Sequence, residues 1–237
     1  MLEAIVKKAT KFAKQAVRKM ATDFAVRDPE LYNEIMPTIV DEQTGLYAKE
    51  YFQRLLESQI ERVAEKQGTL CYMLLDIDNF HDFNAEYNHE TGDLVISLIS
   101  DLLRENTRSD HNVRDDYVGM MGEYTKKKKE LENRPQYDSG RVGGGEEFGV
   151  ILPFTNVSGA KAVAERLRKG IEESKIDTEN FGEVGVTVSI GIAEYKPGDK
   201  AQDLIRRTDY ALMHGAKEQG KNQVVVYSSN IKQPNQR

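Results

Sequence analysis

The sequence predicts an α+β fold, in which short apolar strands alternate with amphipathic helices. Three strand-like segments support this prediction, at residues 70–75, 150–152 and 184–193. Between them, apolar residues recur at the three- and four-residue spacing of helices that are packed on one face. Glycines at residues 143–145 come just before the second strand and predict a tight turn between two strands, because glycine readily takes a positive φ.

Composition bounds the class of protein. The 237 residues, 39% hydrophobic and 30% charged, suffice for one ordinary domain with extensions. A formal charge of −6 gives no overall basic field, so no nucleic-acid partner is expected. Cys71 is the only cysteine and falls in a predicted strand, which fits a reducing compartment. Because the sequence shows neither a run of eighteen apolar residues nor a signal-peptide core, we expect a cytoplasmic protein without a transmembrane segment.

Residues 1–40 are predicted to form a helical extension. Apolar residues from Leu2 to Phe24 follow helical spacing, and lysines and arginines occupy the remaining positions. Several alternatives stay open: the helix packs on its own domain, pairs with a second copy, lies on a membrane, or docks another partner. Pro29 and Pro37 bracket a linker before residue 41.

The next part of the chain carries a helix, a strand and two further helices. The expected elements are, in order, a turn at 41–47, a helix at 51–63, a strand at 70–75, a loop at 79–83, a short helix and turn within 84–92, and a longer helix opening at Asp93. The apolar face of the longer helix is predicted to be Leu94, Val95, Leu98, Ile99, Leu102 and Leu103. Helix capping alone also favours Asp93, so a structural interpretation stands beside any functional one.

Residues 105–140 are polar and charged and include four consecutive lysines at 126–129. We expect an insertion of roughly two to three dozen residues, exposed and partly mobile. The lysine run forms either a solvated face or a docking site for a partner or an anionic ligand. Beyond the glycine-rich turn, we expect helices at 158–174 and 199–217, strands at 184–193 and 224–227, and an unpacked tail at 229–237.

Two groups of carboxylates lie at the ends of predicted strands. Asp76 follows the apolar run 70–75, and Glu146 and Glu147 come directly after the glycines. Carboxylate oxygens are the ligands that hard divalent cations prefer, so together these acids favour a metal-assisted phosphate site. Taken alone, the second group is better explained as a surface hairpin with two solvated glutamates, because glycine-rich turns are common and weak as motifs.

Five segments of the sequence are informative together: GGEEF at 144–148, LCYMLLDID at 70–78, DEQTGLY at 41–47, VTVSIGIA at 186–193 and AKEQGKN at 216–222. In combination they resemble the GGDEF family of diguanylate cyclases, in its GGEEF variant. The resemblance covers residues 41–227 and implies a catalytic domain at 41–228. It also implies a central, mainly antiparallel sheet flanked by helices, like the palm domains of nucleotide cyclases and polymerases. The implied activity is condensation of two GTP molecules into cyclic di-GMP and two pyrophosphates across a homodimer.

The resemblance also implies a metal site and a phosphate site. Two Mg²⁺ or Mn²⁺ ions per active site are expected on Asp76, Glu146 and the backbone carbonyl of Ile77, supported by Glu147. The implied catalytic residues are Glu146, Glu147 and His81, and Glu146 is the preferred acceptor of the 3′-hydroxyl proton. The implied phosphate-binding residues are Asn79, Phe80, His81, Lys217 and Lys221.

The residues expected to contact guanine are Asn84 and Asp93. An aspartate accepts hydrogen bonds from N1–H and from the 2-amino group, a pair of donors that adenine lacks. His89 and Gly145 are also expected to contact the substrate.

Several residues depart from the family pattern. Gln43 stands where leucine is usual, His81 and Lys221 replace a lysine and an arginine, and Asn88 replaces a glycine. Histidine is often uncharged at neutral pH and lysine lacks a bidentate fork, so phosphate binding is expected to be weaker. Gly143 adds one residue before the signature.

The arginine–aspartate pair of the family's product-inhibition site is not found at its usual spacing. The nearest pairs are Arg134 with Asp138 and Arg108 with Asp110. We therefore expect inhibition through that site to be absent or altered. Two alternatives to an active cyclase stay open: an inactive domain that binds GTP or cyclic di-GMP as a receptor, and a related cyclase with a different dinucleotide product.

Overall fold

A computed structural model describes residues 39–41, 43–107, 117–121 and 145–228. The described helices are α1 (Lys49–Glu65), α2 (Phe80–Tyr87), α3 (His89–Asn106), α4 (Val157–Glu173) and α5 (Ala201–Tyr210), with a π-helical turn at Ala211–Lys217. The described strands are β1 (Leu70–Ile77), β2 (Tyr117–Met120), β3 (Glu147–Pro153), β4 (Ile176–Thr178), β5 (Gly182–Val184), β6 (Val188–Glu194) and β7 (Val224–Val226). The predicted N-terminal helix and C-terminal tail lie outside the described residues.

The central sheet has β1 in its middle. Among the described residues it contains five strands in the order β2–β3–β1–β6–β7, and β4 and β5 form a separate two-stranded sheet. β1 runs antiparallel to β3 and β6, β2 runs antiparallel to β3, and only the edge pair of β6 and β7 is parallel. The prediction of an α+β fold with a mainly antiparallel sheet is confirmed.

Both faces of β1 are covered by helices, which explains its continuous apolar run. Cys71, Met73 and Leu75 belong to the core beneath α3 and α4. Leu70, Tyr72 and Leu74 belong to a second core beneath α1 and α5. Because side chains alternate along a strand, Asp76 continues the face that carries α1 and α5. Asp76 therefore lies at the point where β1 extends beyond the two hydrophobic cores.

Residues 105–140, predicted to be an exposed insertion, include two regular segments that the sequence analysis did not predict. α3 continues to Asn106, and residues 117–120 form the edge strand β2. Val118 and Met120 are buried against the sheet. This strand was missed because its four residues are too few to show a period within a charged context. β2 and β3 pair with each other but are separated along the chain by residues 121–146, so the predicted tight turn does not join these two strands.

The loop expected at 79–83 is shorter than predicted, and the helix expected from Asp93 begins earlier. Asn79 alone makes the turn, with a left-handed φ of 57°, and α2 begins at Phe80. α3 begins at His89, so Asp93 lies inside the helix and does not open it. Leu94, predicted to face the core, is 50% exposed, while Ile96 takes an inward position.

The predicted strand at 184–193 is two strands, because β5 ends at Val184 and β6 begins at Val188. The predicted helix at 199–217 changes from α-helical to π-helical at Ala211. Gly191 explains how closely this helix packs on β6, since a Cβ atom there would lie 2.4 Å from the carbonyl oxygen of Thr208. The helix at 158–174 is confirmed as α4 within one residue at each end.

Candidate functional site

The three predicted metal-site acids come together at the ends of β1 and β3. Asp76 is paired with Glu147 in the antiparallel register, and the Ile77 N–H group donates to the Glu146 carbonyl at 3.4 Å. Burial raises the pKa values of the Asp76, Glu146 and Glu147 carboxyl groups above their ordinary values. For both glutamates the negative charge of Asp76 raises the pKa further. Such crowding of carboxylates favours a bound cation.

Lys217 supplies a cation to this group of acids. Its Nζ atom donates to Asp76 Oδ1 and, at 3.1 Å, to the Ile77 carbonyl, and it lies 3.3 Å from Asp78 Oδ1. Lys217 is the last residue of the π-helical turn, a rare conformation that often occurs at functional sites. We call Asp76, Asp78, Glu146, Glu147 and Lys217 the acidic cluster.

Asp78 is a member of this cluster that the sequence analysis assigned no role. Its side chain is 2% exposed. Its carboxylate accepts hydrogen bonds from Thr187 Oγ1 and Ser189 Oγ at 2.8 Å and from the Asn222 N–H group at 2.9 Å. A buried carboxylate needs such partners, because its own desolvation is costly. Asp78 thus ties the end of β1 to β6 and to the turn that follows Lys217.

The donor set of the acidic cluster fits a hard divalent cation. Asp76 and the Ile77 carbonyl, two of the three expected protein ligands, already share one positive charge, that of Lys217. These oxygens and the Glu146 carboxylate are the donors that Mg²⁺ and Mn²⁺ prefer. In the part of the chain that the structure describes, no three His, Cys, Asp or Glu side chains stand close enough to hold a metal together. The donor types thus fit such an ion, while in the described arrangement Lys217 contacts two of the expected ligand oxygens.

The predicted phosphate loop lies beside this cluster, at the amino end of α2. Asn79 is exposed, Phe80 is 8% exposed and anchors the helix in the core, and His81 is exposed. Lys221 reaches across to donate a hydrogen bond to Asn79 Oδ1. The first N–H groups of a helix lack intrahelical acceptors and attract anions. Lys217 and Lys221 thus both lie near the predicted phosphate loop.

The predicted guanine-contacting residues meet on α2 and α3. A Cβ atom on Gly92 would lie 2.0 Å from Asn84 Oδ1, so the Asn84 amide rests directly on Gly92, the residue that precedes Asp93. Asp93 Oδ1 accepts a hydrogen bond of 3.0 Å from Gln43 Nε2. We call Gln43, Asn84, Gly92 and Asp93 the amide cluster. Gln43 was noted only as a departure from the family pattern, and that departure was the signal that could have identified it.

Asn88 explains how the chain turns between α2 and α3 without the family's glycine. Its φ of 78° and ψ of 167° are unfavourable for residues with a side chain. In return its side chain accepts a hydrogen bond from the Thr91 N–H group at 2.9 Å and caps α3. His89, the next residue, is exposed. Asn88 therefore adds backbone strain to the turn, and the helix cap that its side chain forms offsets this strain.

The remaining predictions concern residues that lie beside or outside the described ranges. Gly145 is buried in the turn that precedes β3, with Glu146 next to it. Gly143, Arg134, Asp138, Arg108 and Asp110 lie outside the described residues, so the extra glycine and the altered inhibition site stay predictions. Among the described residues, no helix has the length and apolar character needed to cross a membrane.

Comparison with protein families identifies one match. The model described as "Diguanylate cyclase, GGDEF domain" matches residues 38–122 and 135–223. The unmatched residues 123–134 fall within the predicted insertion. Residues 117–120, which form β2, lie inside the matched range.

Two curated relatives cover most of the chain. Diguanylate cyclase A of Treponema denticola is 31% identical over 198 residues, which are 82% of this chain and 46% of the relative. An uncharacterised membrane protein of Staphylococcus epidermidis is 30% identical over 186 residues, 78% of this chain and 45% of the relative. The chain thus spans about half the length of the curated relatives it matches.

Solved structures agree with the fold. The GGDEF domain of DgcB from Caulobacter crescentus, determined in complex with c-di-GMP, has a TM-score of 0.66 and 26% identity, covering 81% of this chain and 94% of that one. The active GGEEF domain of a diguanylate cyclase from Vibrio cholerae has a TM-score of 0.60 and 26% identity, covering 77% and 98%.

Proposed function

Since the chain belongs to the GGDEF family of diguanylate cyclases, we propose that it condenses two GTP molecules into cyclic di-GMP and two pyrophosphates. The single observation that carries this proposal is the acidic cluster: carboxylates from β1 and β3 converge beside Lys217 and next to the amino end of α2. That arrangement suits a triphosphate, because anion-binding N–H groups, cations and metal-ligating oxygens meet in one place.

The reaction consists of two nucleotidyl transfers. The 3′-hydroxyl oxygen of each GTP forms a bond to the α-phosphorus of the other, and the bond from that phosphorus to the bridging oxygen breaks, so that pyrophosphate leaves. The hydroxyl proton passes to a carboxylate, and we assign Glu146 as the acceptor; burial and the charge of Asp76 raise the pKa of its carboxyl group, which makes it a stronger base than a solvated glutamate. Each domain holds one GTP, so catalysis requires a homodimer.

Asp76, Glu146 and the Ile77 carbonyl would hold two Mg²⁺ or Mn²⁺ ions, with Glu147 in support. When bound, the ions neutralise charge on the phosphates and acidify the attacking hydroxyl. Asn79, Phe80 and His81 offer backbone N–H groups to the outer phosphates, and Lys217 and Lys221 offer positive charge once they leave their present acceptors. Asn84 and Asp93 orient the guanine.

A second candidate function is a receptor that binds GTP or cyclic di-GMP without turning it over. The hydrogen bonds from Lys217 to Asp76 and to the Ile77 carbonyl favour the receptor function, because the ammonium group occupies two of the oxygens that a metal ion requires. An enzyme must exchange this internal cation for metal in each active site, whereas a receptor need not.

The test is incubation of the purified chain with GTP and Mg²⁺, or Mn²⁺, over a range of protein concentrations, followed by mass spectrometry. Cyclic di-GMP and two equivalents of pyrophosphate, formed with a rate per domain that rises with protein concentration, are expected from a dimeric cyclase. ATP serves as the control substrate and should yield no product. Bound but unchanged GTP at the highest concentration would instead establish the receptor.

A further inference from the structure

Gln43 lies on a turn that is held rigidly against α3. The Asp41 carboxylate accepts hydrogen bonds from the N–H group of Thr44 at 2.8 Å and from its hydroxyl group at 2.6 Å. Gly45 continues the turn with a φ of 65°. The guanidinium group of Arg104, near the end of α3, donates to the Thr44 carbonyl. The position of the Gln43 backbone is therefore set on both sides.

The orientation of the Gln43 amide follows from its partner. Its Nε2 atom lies 3.0 Å from Asp93 Oδ1, and these two residues are separated by 50 positions in the chain. An ionised carboxylate only accepts hydrogen bonds, so the amide must present its NH₂ group to Asp93 and turn its oxygen away. That oxygen, Oε1, is buried and has no hydrogen-bond partner among the described residues.

A second unpartnered oxygen belongs to the same cluster. Asn84 Oδ1 is also buried without a hydrogen-bond partner, and it rests on Gly92, the neighbour of Asp93. Within the described part of the chain, four buried side-chain atoms lack a partner, and these two amide oxygens are half of them. Buried polar atoms are normally satisfied, so two unsatisfied acceptors in one cluster point to a ligand that brings donors.

Guanine offers the donors that this cluster lacks. Its N1–H group and the two hydrogens of its 2-amino group lie along one edge, and the Asp93 carboxylate can take only part of them. We propose that Gln43 is a specificity-determining residue for the base: its NH₂ group holds Asp93 in place, and its Oε1 atom accepts a hydrogen bond from the 2-amino group of guanine. The inference rests on the proposed function, because it takes the amide cluster to be where the base of GTP binds.

The leucine that usually occupies this position has no acceptor and no donor, so the contribution of Gln43 belongs to this chain. A purine without the 2-amino group loses the contact with Gln43 while it keeps N1–H for Asp93. Hypoxanthine differs from guanine in that group alone. A comparison of guanine with hypoxanthine nucleotides therefore isolates the proposed hydrogen bond.

The experiment measures binding of α,β-methylene GTP and α,β-methylene ITP by titration calorimetry, since neither analogue can release pyrophosphate. The variants are Gln43→Leu and Gln43→Met, of which the second keeps the unbranched shape should the first fail to fold. The control is Gln59→Leu, the same chemical change on α1, where the amide contacts Ser58 and Arg62. Thermal unfolding of each variant verifies the fold.

We expect the parent chain to bind the guanine analogue about tenfold more tightly than the hypoxanthine analogue, and both Gln43 variants to reduce that ratio about fivefold. Gln59→Leu should leave it unchanged. A ratio that stays at the parent value in both folded Gln43 variants would overturn the role of Gln43 and leave the cyclase proposal intact. Failure of the parent chain to bind either analogue would overturn both.

Discussion

The acidic cluster and the amide cluster differ in how their polar groups are satisfied. In the acidic cluster the buried charges of Asp76, Asp78 and Lys217 have internal partners: Lys217 joins Asp76 to Asp78, and Asp78 in turn is bonded to β6 and to Asn222. In the amide cluster, Gln43 Oε1 and Asn84 Oδ1 are buried with no partner among the described residues.

Under the proposed function the two clusters bind different parts of one ligand, and their polar groups are arranged in different ways. A buried charge without a partner is costly, and in the acidic cluster Lys217 supplies a positive charge beside Asp76 and Asp78. Leaving a neutral amide oxygen without a hydrogen bond costs less free energy than leaving a charge unpaired. The fold can therefore tolerate the unpaired oxygens of the amide cluster when no ligand is bound. We therefore expect changes in the acidic cluster to affect both stability and chemistry, and changes in the amide cluster to affect mainly binding.

The largest effect is expected at Glu146. Glu146→Ala removes both an expected metal ligand and the proposed proton acceptor, so formation of cyclic di-GMP should fall by about 100- to 1,000-fold or more. Product is measured by mass spectrometry at saturating GTP. Glu183→Ala removes the same charge from an exposed position on β5 and should retain full activity. Equal activity of the two variants would show that the acidic cluster does not perform the reaction.

The second effect concerns stability. Asp78→Ala leaves the hydroxyl groups of Thr187 and Ser189 and the Asn222 N–H group without their acceptor, so the free energy of unfolding should fall by about 3 kcal/mol. Asn84→Ala, in the amide cluster, removes an oxygen that has no partner and should cost less than about 1 kcal/mol. Urea denaturation measures both. Equal losses would remove the distinction between the two clusters.

Gly92→Ala is expected to weaken GTP binding without unfolding the domain. The new Cβ atom would lie 2.0 Å from Asn84 Oδ1, so the amide must move off its position and binding should weaken about tenfold. Gly170→Ala is the matched control on α4, because a Cβ there meets nothing within 4 Å and should slightly stabilise the helix. Calorimetric titration of the GTP analogue separates the two variants. Unchanged affinity in Gly92→Ala would show that Asn84 does not contact the base.

Asn88 gives a smaller effect with opposite outcomes for two substitutions. Asn88→Ala keeps a side chain at φ 78° and loses the cap on Thr91, so stability should fall by about 1 kcal/mol or somewhat more. Asn88→Gly also loses the cap but relieves the backbone strain, so its stability should stay within about 0.5 kcal/mol of the parent. Thermal unfolding distinguishes them, and a glycine variant as unstable as the alanine variant would contradict the strain argument.

A paired carboxylate outside both clusters should respond to pH with the smallest effect. Burial alone would raise the pKa of Asp199, but hydrogen bonds from Arg207 and from the Lys196 N–H group outweigh it and hold the pKa below its usual range. Because the folded-state pKa is lower than the unfolded value near about 3.9, the carboxylate stabilises the fold above that pH, and this stabilisation is lost as the pH falls through the folded-state pKa. The stability difference between the parent and Asp199→Asn should therefore be larger at pH 7 than at pH 3. A difference independent of pH would contradict this pairing.

Local pattern in the sequence was enough to predict the element types and much of the acidic cluster. An apolar run that ends in Asp76, and glycines that precede Glu146, place carboxylates at strand ends whatever the topology. The same pattern failed at β2, which is only four residues long, and at α2 and α3, where Asn79 and Asn88 take left-handed or strained conformations and so shorten the loops.

The sequence by itself thus determined the chemistry that is present: the acids, the lysines, the amides and the order in which strands and helices carry them. Only the tertiary structure decided which of these groups satisfy one another. Lys217 meets Asp76 across 141 positions, Asn222 meets Asp78 across 144, and Gln43 meets Asp93 across 50. Such contacts depend on how whole elements pack around β1, and no periodicity within a segment encodes them. The partnered charges of one cluster and the unpartnered oxygens of the other are therefore properties of the fold.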